Sequence, residues 1–430
     1  MTREQELGFD RTLEVWLQNE LVGHFYQLMT GNVAFQYVSD ATKPLSISLP
    51  VRIEEYAHSE CFAYFDGLLP ESEVQREAIA KKFSINKKNS FRLLKAIGAD
   101  CAGAVSFHSP REKVKSTLTK ELKEISELEL EKLILDLPQN PLFISKHNSV
   151  RLSLAGAQLK AAIIYREGKI FLPLADTPTT HIIEPAIGGL DDAAANEYFC
   201  LGIARRLGID TPKSELKFAG KTPYLLIERY DRKVVDGNVQ RIHQEDFCQA
   251  LNVIPSNKYE SDGGPSVLDS MKLLFKTDKP VISRNKFMRM LFFNYLIGNM
   301  DAHGKNYSIL HHENGSRELS PLYDTACTLV YAELERSLAM KIGGKYDPFS
   351  VFPRHWKRLC ETVGYSYPAV SRALGNYCKM IPSHGDEELQ LMEKLGFKTD
   401  FMVSILELIK DNCSLTLNRL AAEQKLERKK

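Results

Sequence analysis

Residues Asn299 to Asn306, Asn-Met-Asp-Ala-His-Gly-Lys-Asn, set an aspartate five positions ahead of an asparagine, directly after a strongly apolar, helix-like run. That is the spacing of a phosphoryl-transfer catalytic loop. There the aspartate accepts the proton of an incoming hydroxyl, and the asparagine supplies an amide oxygen to a magnesium ion on the nucleotide phosphates. Asp301 and Asn306 are the candidates for these roles. A second metal-holding carboxylate normally follows a short β-hairpin. Tyr307 to His312 read as a strand, Asn314-Gly315 as a two-residue hairpin turn, and Arg317 to Tyr323 as a returning strand that ends at Asp324. Asp324 is therefore the candidate second ligand. His303 stands two residues after Asp301, where protein kinases commonly carry a lysine on the transferred phosphate; a protonated imidazole would serve the same purpose, and otherwise the ring simply hydrogen-bonds within the loop. Taken singly, Asp and Asn cap helices and start turns. The ordered combination is what points to phosphoryl transfer.

The elements that position these residues must come from a chain of 430 residues, long enough for two or three domains. Its 56 Lys and Arg against 55 Asp and Glu leave a net charge of +1, which argues against a stand-alone nucleic-acid binder. The eight cysteines show no CxxC pair or Cys/His cluster of zinc spacing, and they read as reduced, buried thiols. Met1 to Asp10 is charged, and no run approaches the roughly 20 apolar residues of a membrane span. A cytoplasmic protein with no membrane partner is expected.

Leu13/Val15/Leu17, Val33/Phe35/Tyr37 and Leu45/Ile47/Leu49 alternate, which predicts three strands of a small antiparallel unit. Helical text follows from Phe62 to Ile97, with an opening at Pro70-Glu71-Ser72. The charged stretch from Glu112 to Leu137 reads as a helical bridge closed by Pro138 and Pro141. From Leu152 to Glu228 strands are expected at Ala161–Tyr165, Lys169–Leu172, His181–Ile183, Glu215–Phe218 and Tyr224–Glu228, with a helix at Ala193–Leu207. After Asp246 the periodicity is helical apart from the hairpin. The expected parts are an N-terminal β-rich subdomain with helices (1–110), the bridge (111–150), a kinase N-lobe-like β-rich region (151–245) and a helical C-lobe with the catalytic loop (246–430). The fold class is α+β, a two-lobed protein-kinase-like plan with an extra N-terminal β-rich subdomain and an all-α C-terminal lobe; nucleotide is expected in the cleft between lobes.

On the nucleotide side, Ser153-Leu-Ala-Gly-Ala-Gln-Leu-Lys160 is the candidate phosphate loop, because small Ala155, Gly156 and Ala157 let backbone amides approach phosphate oxygens. A plain hairpin turn would read the same way. The apolar strand Tyr224-Leu-Leu-Ile-Glu-Arg-Tyr230 ends where a hinge would use backbone near Glu228 and the ring of Tyr230 against adenine.

Several longer runs resemble the HipA family, the serine/threonine kinase toxins of bacterial type II toxin–antitoxin pairs. They include Phe65-Asp-Gly-Leu-Leu-Pro-Glu-Ser72, Arg151-Leu-Ser-Leu-Ala-Gly-Ala-Gln158, Thr177-Pro-Thr-Thr-His-Ile-Ile183, Glu228-Arg-Tyr-Asp-Arg232, Gln244-Glu-Asp-Phe-Cys-Gln249, Lys258-Tyr-Glu-Ser-Asp-Gly-Gly-Pro265, Asp301-Ala-His-Gly-Lys-Asn306 and Pro353-Arg-His355. The resemblance implies a kinase that uses ATP and Mg2+ to phosphorylate a protein serine, in that family glutamyl-tRNA synthetase, and so halts translation and favours dormancy. It implies Asp301 as base, and Asn306 and Asp324 as metal ligands. The nucleotide site would comprise Ala155, Gly156, Ala157, Gln158, Leu159 and Lys160, the hinge Glu228, Arg229 and Tyr230, and His303, Gly304, Lys305 and Tyr323 beside the catalytic groups. Ser153 matches the family's phosphorylation site, where a phosphate adds nearly two negative charges beside the nucleotide and acts as an off switch. The implied partner is a HipB-like helix-turn-helix antitoxin, with operator DNA contacted mainly through it. Gly344 to Asp347, near where the family toxin touches DNA, keeps Lys345 as its one basic residue.

One departure concerns charge. After His181-Ile-Ile183 the family carries the lysine that neutralises the α- and β-phosphates, and this chain has Glu184. At ~4 Å and an effective dielectric near 20 a charge pair is worth about 4 kcal/mol, so the reversed sign weighs heavily on phosphate binding. Three readings stand: a catalytically impaired toxin homologue that acts as antitoxin-binding co-repressor, replacement of the cation by Lys160, or a Glu184 that points away.

Overall fold

The computed structural model describes residues 7–110, 122–143, 153, 158–173, 177–186, 190 and 192–427. The chain forms two compact units. One comprises Met1–Gly189, Lys217–Ser256 and Ser308–Ser316; the other comprises Leu190–Leu216, Asn257–Tyr307 and Arg317–Lys430.

The first unit begins with an antiparallel sheet in the order β3-β2-β1-β4, made of β1 (Thr12–Leu17), β2 (Glu20–Gln27), β3 (Val33–Tyr37) and β4 (Val105–His108). Its apolar face packs on helices His58–Asp66, Glu73–Phe83 and Ser90–Ile97 around Phe25, Phe35, Phe65, Phe91 and Phe107. The Phe25 and Phe65 rings stack at 4.0 Å, an offset contact that adds to the area they bury. Ser72 caps the second helix by accepting from the Gln75 amide, as its place after Pro70 leads one to expect.

Two expectations need correction here. Leu45–Leu49 alternates but is not a strand. Ser46 donates to Glu245, Ile47 N donates to Glu245 Oε1 at 2.9 Å, and Ser48 Oγ donates to the Gln249 carbonyl at 2.7 Å. Side-chain and loop partners thus satisfy groups that a ladder would otherwise take. The strand that does lie between β1 and β3 is β2, buried on both faces, so its sequence shows no alternation. In the bridge, the described part is a short strand, β5 (Lys123–Ile125), and then helix Glu127–Asp136, capped by Ser126 and Glu129 in a reciprocal box.

A six-stranded sheet follows in the order β5-β7-β6-β8-β10-β9, with β6 at Ala161–Arg166, β7 at Lys169–Leu172, β8 at His181–Pro185, β9 at Ser214–Ala219 and β10 at Thr222–Glu228. It has its own core of Ile134, Ile163, Ile183 and Leu226. β8 and β10 pair antiparallel, so Glu184 lies opposite Leu225 and the hinge residue Glu228 opposite His181. A small hairpin that periodicity does not reveal joins Arg232–Val235 to Asn238–Arg241.

Where β10 ends, this unit buries a charge cluster. The Asp100 carboxylate receives Arg232 and Arg241 at 2.9 Å each, Arg229 at 3.4 Å and the Thr179 hydroxyl at 2.8 Å, while Asp231 receives Arg229 at 2.8 Å. Burial opposes ionisation of Asp100, but the three guanidinium groups outweigh it and hold the carboxyl well below the usual range. Burial likewise works against Arg232, which falls to about 10 and still stays charged at neutral pH.

The second unit is built on helix Pro280–Ile297, which buries residues around nearly its whole circumference and therefore sits inside rather than on a surface. Phe292 and Tyr295 meet the Trp356 ring edge-on at 5.6 and 5.4 Å. Helices Ala193–Arg206, Pro353–Val363, Tyr367–Lys394 and Asp400–Glu427 belong to the same unit. No described helix is long and apolar enough to cross a membrane. All eight cysteines are buried and form no disulfide.

Asp100→Asn keeps the shape but leaves three arginines short of a buried carboxylate. Urea denaturation is expected to show a loss of about 3–5 kcal/mol at neutral pH. A depressed carboxyl stabilises above its unfolded pKa, so the gap between parent and variant should narrow only below about pH 4.

Candidate active site

Helix Pro280–Ile297 stops at Gly298, whose φ of +78° is the left-handed conformation that ends helices and that glycine adopts without penalty. The chain then enters Asn299–Asn306, an irregular and mostly buried segment whose backbone groups need partners from elsewhere. Asn299 supplies the first: its Oδ1 accepts the Asp301 amide at 3.0 Å, and its Nδ2 donates to Asn294 Oδ1 at 3.1 Å. Met300 N donates to Thr328 Oγ1 at 2.8 Å, and the Met300 carbonyl receives Ala339 N at 3.1 Å. Asn306 closes the loop, with Nδ2 donating to the Asp301 carbonyl at 2.9 Å.

This last bond decides which way the amide faces. A carbonyl only accepts, so the nitrogen of Asn306 is on the Asp301 side and its oxygen is turned the other way. An amide oxygen and a carboxylate such as that of Asp324 are hard oxygen donors, the type that magnesium takes. Asp324 is held against the loop from both neighbours. Tyr323 donates through its hydroxyl to the Lys305 carbonyl at 2.8 Å, and Thr325 donates to Asn294 Oδ1 at 2.7 Å. Asp324 itself has φ +51°, a left-handed conformation that Asp tolerates better than most residues. Asn196 adds a two-point tie to Cys327, accepting from its N–H at 2.9 Å and donating to its carbonyl at 3.0 Å. The sequence reading missed Asn196, Asn294, Asn299 and Thr325, because single polar residues on apolar elements carry no spacing signal.

Asp301 has a half-exposed side chain; the His303 Nε2 lies 3.8 Å from its Oδ1. His303 is buried, and burial first, then the positive Lys258 and Lys305, push its pKa well below the ordinary value. Of the two readings of His303, this favours the uncharged, hydrogen-bonding imidazole, since a further cation near Lys258 and Lys305 in a buried site is disfavoured. Gly304 and Lys305 are buried parts of the same turn, with Gly304 N donating to the Lys258 carbonyl at 3.2 Å.

The nucleotide-side residues lie in the first unit. Ala155, Gly156 and Ala157 fall outside the described residues. Gln158 is described, and its carbonyl receives Gln75 Nε2 at 2.9 Å; Leu159 follows it. Lys160 Nζ lies 3.2 Å from Glu184 Oε1, both side chains largely buried. Ser153 is wholly buried, its hydroxyl donating to the Leu68 carbonyl at 2.7 Å and its N–H to the Asp100 carbonyl at 2.9 Å. At the hinge, Glu228 ends β10 and is followed by Tyr230, a half-buried residue. Arg229 turns inward to Asp231, Thr179 and the Cys101 carbonyl, so its side chain serves as an internal tie of the hinge. Asp100 thus touches Ser153 through its carbonyl and Arg229, just after β10, through its carboxylate.

Residues 152–384 match the family model described as the HipA-like C-terminal domain, and residues 13–108 match the HipA N-terminal domain. The chain is 37% identical to a putative kinase, Y4mE, of Sinorhizobium fredii, over 85% of this chain and 89% of that protein. It is 28% identical to the serine/threonine-protein kinase toxin HipA of Shewanella oneidensis, over 89% of this chain and 90% of that protein. The solved complex of Shewanella oneidensis HipA, HipB and operator DNA contains a chain that superposes with a TM-score of 0.83 at 26% identity, covering 96% of this chain and 99% of that one. The fold is thus the kinase-like α+β plan with its helical C-terminal region.

Asn299→Ala removes the acceptor of the Asp301 amide inside a buried network. Urea unfolding is expected to report a loss of about 1–3 kcal/mol.

Proposed function

The chain belongs to the HipA family, and from that premise we propose that it is an ATP-dependent protein serine kinase that acts as a toxin. The observation that carries this reading is the 2.9 Å bond from Asn306 Nδ2 to the Asp301 carbonyl, which fixes the base and a metal-type amide oxygen in one turn. In the proposed reaction Asp301 takes the proton of a serine hydroxyl as that oxygen bonds to the γ-phosphorus and the bond to ADP breaks. Asn306 and Asp324 would hold magnesium, which when bound neutralises charge on the β- and γ-phosphates. His303, neutral, serves as a hydrogen-bonding group rather than a cation. Glutamyl-tRNA synthetase is the acceptor to test first, and a halt in translation is the proposed cellular outcome.

Lys160 takes the place of the cation that the family draws from the position of Glu184. Its 3.2 Å pairing with Glu184 supports this, because the ammonium lies beside the very strand position that the family lysine occupies. Autophosphorylation of Ser153 is the proposed off switch. Its hydroxyl is enclosed and bonded to Leu68, so a phosphate there must displace the segment that leads into the phosphate loop. A HipB-like antitoxin and, through it, operator DNA are the proposed partners; the solved Shewanella complex holds a HipA chain with both.

A second reading, a catalytically impaired homologue acting as antitoxin-binding co-repressor, is favoured by Glu184 itself. Incubation of the purified chain with Mg-ATP and glutamyl-tRNA synthetase, with sites mapped by mass spectrometry, separates the two. Transfer by the parent that Asp301→Ala abolishes is the expected result; silence restored by Glu184→Lys would instead establish the impaired homologue. Calorimetry supplies a companion prediction: Lys160→Ala should weaken ATP binding at least tenfold and leave adenosine binding unchanged, a loss above about 1.4 kcal/mol.

A further inference from the structure

The run Lys258-Tyr-Glu-Ser-Asp-Gly-Gly-Pro265 has no part in the reading above, yet it is built against the catalytic loop. The Lys258 carbonyl receives the Gly304 amide at 3.2 Å. Glu260 N donates to the Ala339 carbonyl at 3.1 Å, and Ala339 N donates to Met300, the residue before Asp301, so Ala339 ties the two segments together. Glu260 also accepts from Lys341 N at 2.6 Å. The turn closes with Gly264 N on the Tyr259 carbonyl at 2.8 Å. A Cβ on Gly264 would stand 2.3 Å from the Asn257 carbonyl oxygen, and Gly263 has φ +91°, so both glycines are required by the backbone.

All of this fixes one side chain. The Tyr259 hydroxyl donates to Asp301 Oδ1, and its ring meets the His303 imidazole edge-on at 5.1 Å. General-base chemistry needs one carboxylate oxygen at a set place. We propose that Tyr259 is a positioning residue for the base: its phenol holds Oδ1 of Asp301 and so sets the rotation of the carboxylate that takes the proton of the substrate hydroxyl. The inference rests on the kinase reading.

The experiment compares the parent, Tyr259→Phe and Asp301→Ala. Phenylalanine keeps the ring against His303 and removes only the donor. For Tyr259→Phe, kcat is expected to fall roughly ten- to hundredfold, with KM for ATP and the melting temperature unchanged. In parallel, with ring-labelled tyrosine, the 13Cζ resonance that Tyr259→Phe removes is expected to shift in Asp301→Ala. A parental kcat in Tyr259→Phe overturns the inference. So does a raised kcat, which would mean that the phenol obstructs the acceptor. A parent chain that transfers no phosphate overturns the kinase reading instead, and the resonance then decides the pairing: no shift in Asp301→Ala refutes it.

Discussion

Buried backbone that belongs to neither helix nor sheet must still have its N–H and C=O groups satisfied, and in the second unit this requirement shapes everything around Asp301. The groups of Asn299–Asn306 are met one by one by Asn299, Thr328, Ala339, Lys258 and the Asn306 side chain. Behind them stand residues of regular helices: Asn294 of Pro280–Ile297 receives Asn299, and Asn196 of Ala193–Arg206 ties Cys327. A network of this kind in a dry interior has one good arrangement, since any rotated amide leaves an unpaired group. The result is that Asp301, the Asn306 amide and the Asp324 segment are held in place by the residues around them.

The first unit meets a related constraint with charges. Buried ions are tolerable only when paired, and Asp100 and Asp231 with Arg229, Arg232 and Arg241 form a set in which each charge has opposite neighbours. The set joins three segments far apart in sequence: the end of the N-terminal subdomain, the lead into β8 and the hinge after β10. Ser153 hangs from the same place through the Asp100 carbonyl. The HipA N-terminal domain therefore contributes directly to the geometry at the end of β10 and at Ser153.

Charge logic also reframes Glu184. In isolation Glu184 reads, through the family resemblance, as the loss of a phosphate-binding cation. Beside Lys160, it becomes half of a pair whose ammonium is restrained and largely buried, where an electrostatic contact counts for more than at the surface. His303 illustrates the converse: burial and the nearby Lys258 and Lys305 push its pKa down, against the charged form.

Local chemistry alone determined the Asp301, Asn306 and Asp324 series, the Asn314-Gly315 turn, closed by His312 N on the Ser316 carbonyl at 2.8 Å, and strands such as Lys169–Leu172 that are half buried and so alternate. Turn type, helix stop and strand period are set by residues a few positions apart, which is why they are legible. Other features depend on partners distant in sequence. Leu45–Leu49 alternates like a strand but gives its groups to Glu245 and Gln249, some 200 positions on; β2 is a strand without alternation because both its faces are covered. Asn294, Asn299, Thr325, Asp100 and Tyr259 acquire their roles only when the fold brings their partners within hydrogen-bonding distance. The protonation of His303 and the pairing of Lys160 with Glu184 were likewise decided by tertiary structure, because desolvation and electrostatic fields are properties of surroundings that no single stretch of sequence contains.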